Sequence, residues 1–410
     1  MRKLRNAMVD RRTLLSRGLV GAAALGLAAC DANGADDVNV TVTVWGPQED
    51  QSPTYGSWLQ TQCEAFAAAH PEWTLAFKYG VCPEGELEKN LSTDPSAGAD
   101  VYLFANDQIP SLVKCVGIAE LGGIWVDEIR QRNSQTTVNT VTYQGGVYGV
   151  PYTANTWFMY YDTSVFAPED VTSLDAMLQK GKVAFPLDVS WYFASFYVAN
   201  GCTLFGEDGD DAEAGIDFGG EKAIAVTNYL VDLVANPNFT NGDVSTAAGA
   251  SAFFSGTWDY EKAIDAFGDN LGIAPAPTIT IGGEAKQMKA FAGSKAAGAN
   301  PSTALYREHP EVAVALAAYL GGDEAQRAHY ELRTVIPTDE NIVLTDKLAM
   351  AQMDTMSYAS IVQPLQDGMS NYWTPAESMG KELVGRKVTH ENAAQKTEAM
   401  NVAMNSSVVQ

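Results

Sequence analysis

An alternation of strand-like and helix-like segments in the first part of the chain does most to restrict its possible folds. The first strand-like segment alternates apolar and polar residues, and the first helix-like segment repeats apolar residues at three- and four-residue spacing. The strand-like segments are residues 38–45, 74–80 and 99–104, and the helix-like segments between them are residues 58–69 and the more polar 84–93. This order predicts an α/β sheet with parallel strands.

A long extended segment in the middle of the chain predicts a passage between two domains. Residues 147–166 are rich in aromatic side chains and are interrupted by Pro151, where a strand can change sheets, so we place a crossing near residues 152–154. A chain of 410 residues is long enough for two domains, because single cores seldom grow beyond about 250–300 residues. Further helices are predicted at residues 109–121, 222–236, 309–322 and 392–404.

The amino terminus has the pattern of an export signal. A basic lead precedes an apolar run of small residues at 19–29, which is shorter than the roughly 20 residues that a membrane-spanning helix needs. The run leads into LAAC, which resembles the lipobox of bacterial lipoproteins, whose cysteine receives acyl chains such as palmitate. We therefore predict a signal peptide at 1–29, a lipidated Cys30 and a flexible tether at 30–39. The alternatives are a buried helix that ends in a core cysteine and, for the RRTLL motif, twin-arginine rather than general export.

The chain that follows the signal peptide is strongly acidic. Residues 1–29 contain six basic side chains and one acidic side chain, so the net charge of −24 becomes −29 without them. Such a surface repels the phosphates of nucleic acids and anionic lipid headgroups, and we expect neither as a partner. No pattern in the sequence indicates an oligomer, so we expect a monomer.

Cysteine and histidine residues give no metal-binding pattern. The four cysteines after Cys30 permit three disulfide pairings in an exported protein, and buried free thiols are the alternative. The chain has no CxxC motif and its four histidines are scattered, so we expect neither a metal nor a cofactor. These residues are Cys63, Cys82, Cys115 and Cys202, and His70, His309, His329 and His390.

The sequence contains no familiar catalytic motif. GxSxG, GxGxxG, the phosphate-binding GxxxxGK[ST] and HExxH are all absent. Carboxylates are abundant, so the sequence leaves open a glycoside hydrolase with two acids across one sugar bond. We predict no catalytic residues and keep a secreted hydrolase as the alternative.

Aromatic side chains recur in predicted loops beside groups that form hydrogen bonds. Sugars are bound by this combination, because an aromatic face packs on the apolar C–H surface of a pyranose while carboxylates and amides bind its hydroxyls. Core packing is the alternative for each ring. The selected side chains are Trp45 with Glu49, Phe104 with Asp107, Trp191 with Tyr192, Trp258, and Tyr372 with Trp373.

Several segments together resemble the carbohydrate-binding proteins of ABC importers, nearest the maltose and maltodextrin type. The resemblance extends over roughly residues 40–400, and the order and spacing of the segments carry it. The segments are VTVW, GADVYLFANDQIPSLVKCVGIAEL, YQGGVYGVPYTANTWFMYYDTSVF, YLVDLV, GIAPAPT, FAGSKAAGAN and GMSNYW.

The resemblance implies a two-lobe periplasmic-binding-protein fold, in which two α/β domains close by hinge motion around a ligand in the cleft between them. It adds expected crossings near residues 290 and 341. The amino-terminal lobe is then expected at 40–153 plus 291–341, and the carboxy-terminal lobe at 154–290 plus 342–405.

The resemblance also implies roles for individual residues. The side chains expected to contact an oligosaccharide are Trp45, Glu49, Phe104, Asp107, Asn155, Trp191, Tyr192, Trp258, Tyr372 and Trp373. Phe104 stands where the maltose type has a tryptophan, and Trp191 and Tyr192 compete for one stacking position. Three positions depart from the family pattern, because Gln108 replaces an arginine, Asn155 a glutamate and Asp50 a lysine.

The expected function is that of a lipoprotein on the outer face of the bacterial cell membrane. It binds an extracellular oligosaccharide, with a malto-oligosaccharide as the first expectation, and delivers it to the transmembrane subunits of an ABC permease. A sugar-binding sensor or adhesin that serves no transporter is a further alternative, which the sequence does not separate from a transport protein.

Overall fold

The computed structural model describes residues 38–245 and 249–406, which form a mixed α/β fold with two main sheets. The predicted signal peptide and Cys30 lie outside the described residues. Of the predicted tether, Val38 and Asn39 already belong to the first strand.

The strands are short apart from three that have nine or ten residues. In chain order they are β1 (Val38–Gly46), β2 (Trp73–Val81), β3 (Val101–Ala105), β4 (Thr142–Tyr143), β5 (Gly146–Val147), β6 (Val150–Asn155), β7 (Phe158–Asp162), β8 (Val183–Phe185), β9 (Thr203–Leu204), β10 (Ile216–Asp217), β11 (Phe239–Asn241), β12 (Ala252–Ser255), β13 (Leu271–Ala274), β14 (Thr278–Ile281), β15 (Glu284–Gln287), β16 (Ala290–Ala299) and β17 (Ser360–Val362).

The helices separate and cover these strands. In chain order they are α1 (Gln48–Gln51), α2 (Trp58–Ala69), α3 (Leu87–Leu91), α4 (Ile109–Lys114), α5 (Ile124–Arg132), α6 (Gln135–Thr140), α7 (Leu174–Lys180), α8 (Ser190–Ala199), α9 (Gly220–Ala235), α10 (Tyr260–Phe267), α11 (Ala304–Glu308), α12 (Pro310–Leu320), α13 (Asp323–Arg333), α14 (Lys347–Tyr358), α15 (Ser370–Val384) and α16 (Ala393–Met404).

The first sheet has the strand order β17-β16-β3-β1-β2, and β6 also pairs with β16. Strands β1 and β3 are parallel, with Val44 opposite Val101, which confirms the parallel arrangement predicted for the start of the chain. Strand β16 runs antiparallel to β3 and β6 and parallel to β17. The sheet therefore combines strands from the beginning, middle and end of the chain.

The second sheet has the order β11-β8-β12-β7-β13, with β7 antiparallel to both of its neighbours. The chain passes from the first sheet to the second between Asn155, the last residue of β6, and Phe158, the first of β7. Residues 152–154, where the sequence predicts the crossing, still belong to β6. Pro151 is accommodated in this strand because it lies where the register with β16 shifts.

Many aromatic side chains contribute to the largest core, which lies between the second sheet and helices α8, α9, α15 and α16. Trp157 lies 5.7 Å from Phe185 and 5.8 Å from Phe254 between ring centroids, both edge to face. A separate core on the first sheet contains Tyr102 and Phe104. The aromatic runs of the sequence therefore build interior as well as surface.

Two predicted helices are shorter than their sequence patterns suggest. The helix predicted at 109–121 ends at Lys114, because Val116 adopts a left-handed conformation (φ 58°) and the N–H of Gly117 returns to the carbonyl of Leu112 at 2.7 Å. The predicted helix at 84–93 is a 3-10 turn over Glu84–Glu86 followed by α3. Within the described residues, no helix is long and apolar enough to span a bilayer.

Candidate functional site

The carboxyl ends of the first sheet's strands bring several selected residues to one edge. Trp45 lies next to the last residue of β1, and Asp107 follows the end of β3, which runs parallel to β1. The N–H of Cys82, just after β2, donates to the carbonyl of Gly46 at 2.9 Å, so the segment after β2 joins them. Ligands of open α/β sheets bind outside the carboxyl ends of the strands. This edge is therefore one wall of the candidate site.

Trp45 is held by close contact with the backbone of β2. The side chain is half-buried, and a Cβ atom at Gly80 would lie 2.5 Å from two atoms of the indole ring. Only a glycine leaves room for the ring at this point. Glu49, in the four-residue helix α1, is exposed beyond the same strand end.

Asp107 combines exposure with an environment that disfavours its charge. It lies in the 3-10 turn Asn106–Gln108, and its side chain is exposed, yet desolvation by the surrounding protein raises the pKa of its carboxyl. Among the described residues, no lysine, arginine or histidine lies within 4.0 Å of this carboxylate. A backbone N–H interacts with the Asp107 carboxylate, and its remaining acceptor positions can bind ligand hydroxyls.

The side-chain amide of Gln108 forms hydrogen bonds within the protein. Nε2 of Gln108 donates to the carbonyl of Glu84, and its Oε1 accepts from the N–H of Glu88 at 2.7 Å. The buried side chain therefore ties the end of β3 to the turn after β2. Asn155 is half-buried at the end of β6, opposite Gly293 of β16.

Asp50 is sequestered, although the resemblance suggests a ligand-binding lysine at its position. Its fully buried carboxylate accepts from Nε2 of His329 at 2.7 Å and from Nη1 of Arg333, both on α13. Burial alone would raise the pKa of Asp50, but the hydrogen bonds and charges of His329 and Arg333 outweigh burial and lower it. The Asp50 carboxylate therefore anchors α1, and with it Glu49, to α13.

Two tryptophans form a pair on the second sheet's side of the molecule. Trp191 begins the first turn of α8, and Trp258 lies in the 3-10 turn after β12. Their ring centroids are 5.8 Å apart at an interplanar angle of 49°. Nε1 of Trp191 donates to Oε1 of Gln363 at 3.2 Å, and Trp258 is 51% exposed. The pair presents aromatic surface to solvent.

Trp373 and Trp191 are both connected to the start of β16. Trp373, half-buried in the first turn of α15, lies 6.1 Å from Phe291 of β16 between ring centroids. Gln363, which accepts from Trp191, donates its backbone N–H to the carbonyl of Ala292 at 3.0 Å. Trp191 and Trp373 therefore converge on the start of β16, the strand that continues into the first sheet beside Asp107 and Asn155.

Three of the selected aromatic residues belong to the interior, which corrects the expectation that they contact ligand. Phe104 is fully buried and meets Tyr102 edge to face at 5.8 Å. Tyr372 is also fully buried, and its hydroxyl donates to the carbonyl of Ser190 at 2.7 Å. Tyr192 is 9% exposed, and burial raises the pKa of its hydroxyl. Of the two candidates for one stacking position, Trp191 has the accessible ring.

The four cysteines of the described chain are free thiols, three of them buried, which resolves the choice between disulfides and thiols. Burial raises the pKa of Cys63 and of Cys202 to about 12, so both are protonated at neutral pH. In the described ranges, no three histidine, cysteine, aspartate or glutamate side chains are placed to hold a metal ion.

A group of polar residues at the edge of the first sheet was not predicted from the sequence. Glu84, Tyr152 and Lys295 are joined through one carboxylate oxygen, with Tyr152 Oη at 2.8 Å and Lys295 Nζ at 3.1 Å from Oε1 of Glu84. The sequence does contain a sign of this group, because Lys295 is the one charged residue in the small, apolar strand AFAGSKAAGA.

Comparison with known proteins identifies the family of this chain. The model of the family described as bacterial extracellular solute-binding protein matches residues 61–355, which is more than half of the chain. The chain belongs to this family. The resemblance seen in the sequence is thereby confirmed, and membership implies an extracytoplasmic location.

Relatives of this solute-binding protein agree along almost their whole length. The maltodextrin-binding protein MdxE of Bacillus subtilis (strain 168) is 24% identical over 426 residues, covering 92% of this chain and 94% of that protein. A protein whose structure was solved with acarbose is 47% identical to this chain, with a TM-score of 0.80. The match covers 90% of this chain and 99% of that one. The ligand-free maltodextrin-binding protein MalE1 from L. casei BL23 is 21% identical, with a TM-score of 0.81 over 90% of this chain and all of that one. These matches confirm the predicted two-lobe α/β fold, and MdxE and MalE1 are both maltodextrin-binding proteins.

Proposed function

We propose that this solute-binding protein captures an oligosaccharide of the malto-oligosaccharide type outside the cytoplasm and delivers it to an ABC permease. The observation that carries the proposal is that Trp191, with Trp258 beside it, and Trp373 converge near the start of β16, which continues to the edge where Asp107 lies. Aromatic faces and unpaired carboxylates are the two surfaces that a glucose polymer requires.

The identity of the sugar rests on the relatives. Acarbose is present in the structure that is 47% identical to this chain, and MdxE, which matches over 92% of this chain, is a maltodextrin-binding protein. Other gluco- or hetero-oligosaccharides follow as second candidates, because Asp50 and Gln108 replace cations that the maltose type carries.

Binding of this kind needs no covalent chemistry. Stacking on Trp191, Trp258, Trp373 and Trp45 supplies affinity, while Glu49, Asp107 and Asn155 bind hydroxyls and set orientation. We propose that the protein is not an enzyme and that closure of two lobes buries the ligand. The lobes comprise residues 40–153 plus 291–341, and 154–290 plus 342–405. Two separate sheets, linked through residues 155–158 and β16, support this division, although β17 from the second lobe pairs with β16 in the first sheet.

The position of the protein in the cell completes the proposal. The LAAC motif supports cleavage before Cys30 and attachment of the mature protein to the outer face of the cell membrane by acyl chains. The transmembrane subunits of the permease are the protein partner, and the protein acts as a monomer.

A binding screen with a product assay tests the proposal. Purified protein is titrated with glucose, maltose, maltotriose, maltotetraose, cellotriose and xylotriose, and the thermal unfolding midpoint and heat of binding are measured. A ligand that binds only the folded state raises the midpoint, and we expect this for the malto-oligosaccharides. New reducing ends during incubation would replace the proposal by the hydrolase, and binding of none of these sugars would refute sugar capture.

A further inference from the structure

Lys295 and Glu84 form a charged pair at the edge of the first sheet that carries Asp107. Lys295 of β16 lies opposite Ala105 of β3, and Ala105 precedes Asp107 by two residues. Glu84 begins the 3-10 turn after β2, and its Oε1 lies 3.1 Å from Nζ of Lys295. The pair therefore lies among the strand ends that form one wall of the proposed site.

The carboxylate of Glu84 is held in a fixed direction. The hydroxyl of Tyr152 donates to Oε1 of Glu84 at 2.8 Å, and the amide of Gln108 donates to the Glu84 carbonyl. Burial raises the pKa of Tyr152, which keeps its hydroxyl protonated as a donor. The side chain of Glu84 is 13% exposed. Glu84 is thus a fixed acceptor that orients the ammonium group beside it.

Lys295 keeps donor capacity that the protein does not use. An ammonium group has three N–H donors, and among the described residues Glu84 is the carboxylate within 4.0 Å of Nζ. The lysine side chain remains 37% exposed. The exposed ammonium group can therefore donate further hydrogen bonds to hydroxyl oxygens of a ligand.

The two positions that carry cations in the maltose type do not supply one here. Gln108 is occupied by Glu84 and Glu88, and Asp50 is an acid neutralised from within by Arg333. Lys295 places a positive charge at this edge from a different strand. A lysine on β16 thus brings a cation to this wall of the site, where it is paired with Glu84.

We propose that Lys295, oriented by Glu84, donates hydrogen bonds to hydroxyl groups of the bound oligosaccharide and determines which sugar positions must carry a free hydroxyl. This inference rests on the proposed function and makes it more specific. Lys295 contacts the sugar directly, whereas Glu84 is a positioning residue.

The test compares maltotriose with its monodeoxy analogues by isothermal titration calorimetry on the wild-type protein, Lys295→Met and Lys286→Met. Lys286 is the matched control, because it pairs with Glu284 in the β14–β15 hairpin and its side chain is similarly exposed, at 29%. We expect Lys295→Met to weaken maltotriose binding about 10- to 100-fold, the range for a hydrogen bond to a charged group. Lys286→Met is expected to bind as the wild type does.

The analogues separate direct contact from a structural effect. At least one monodeoxy maltotriose binds the wild type more weakly than maltotriose, and Lys295→Met is expected to lose that difference. Glu84→Gln is expected to bind maltotriose more weakly than the wild type but to keep the discrimination, since Lys295 remains.

Four results would overturn the assignment. Unchanged maltotriose affinity in Lys295→Met, or weakening with full discrimination retained, removes Lys295 from the ligand while the proposed function stands. A weakening shared by Lys286→Met assigns the effect to general charge. Absence of maltotriose binding by the wild type refutes this assignment for malto-oligosaccharides, whereas sugar capture itself is refuted only if none of the sugars in the binding screen binds.

Discussion

Replacing Trp258 with alanine should weaken sugar binding while leaving the fold intact. The side chain is 51% exposed and lies 5.8 Å from Trp191 between ring centroids. A tryptophan side chain can bury about 250 Å², so about 125 Å² remains for a ligand, and a sugar on one face covers about half of that. At about 25 cal/mol per Å², the lost contact is worth about 1.5 kcal/mol, or about tenfold in Kd.

The assay is calorimetric titration of maltotriose into the wild type, Trp258→Ala and Trp258→Phe, with thermal unfolding of each ligand-free protein. Phenylalanine keeps a smaller apolar face, so its Kd should lie between the other two. Trp125→Ala is the control, because Trp125 is half-buried on α5, beside α12 and away from the tryptophan pair. The control should leave the Kd unchanged.

A Kd for Trp258→Ala equal to that of the wild type would refute the reasoning, above all if the unfolding midpoint of the ligand-free protein fell. That combination would mean that Trp258 serves only to pack against Trp191 and the backbone of Gly256, over which its ring lies. The stacking role would then have to be withdrawn for this pair.

The interior residues give different expectations. Phe104→Ala should lower the free energy of unfolding by about 3–5 kcal/mol in urea titrations, whereas the Kd for maltotriose, measured where the variant is fully folded, should stay within about twofold. Asp50→Asn should destabilise the protein by about 3 kcal/mol, because it leaves the donors of buried His329 and half-buried Arg333 without their charged acceptor. His329 and Arg333 lower the pKa of Asp50, so the stability that its carboxylate contributes is present above about pH 4 and is lost as the pH falls through the folded-state pKa. Thermal unfolding midpoints measured against pH should therefore decline less below about pH 4 in Asp50→Asn than in the wild type. In thiol titration with Ellman's reagent, the half-buried Cys115 should react first in the native protein, and the other three cysteines should react after denaturation. If none of these four cysteines reacted with the reagent even in the denatured protein, they would not be free thiols.

Local patterns were enough to predict the elements with the clearest periodicity. The alternating residues of β1 and the helical spacing of α2 depend on near neighbours in sequence, and both elements form where expected. The predicted helix at 109–121 failed because its end depends on one left-handed residue, Val116, whose conformation no periodicity reveals. Patterns of spacing describe where elements run better than where they stop.

The candidate site was predictable in kind but not residue by residue. Trp191, Trp258 and Trp373 keep accessible or half-buried rings, whereas Phe104 and Tyr372, chosen by the same criterion, are fully buried. An aromatic residue beside a polar one has the same sequence appearance in both cases. Exposure depends on which segments pack over the ring, and those segments come from distant parts of the chain.

The sequence by itself determined the class of fold, the acidic character and the family, because these follow from local periodicity, composition and ordered motifs. Tertiary structure alone decided how the charges are paired. Asp50 meets Arg333 across 283 residues of chain, and Nε1 of Trp191 meets Gln363 across 172. The physical reason is that the free energy of a charge or a hydrogen bond depends on its neighbours in space and on the water excluded around it, and folding alone brings those neighbours together.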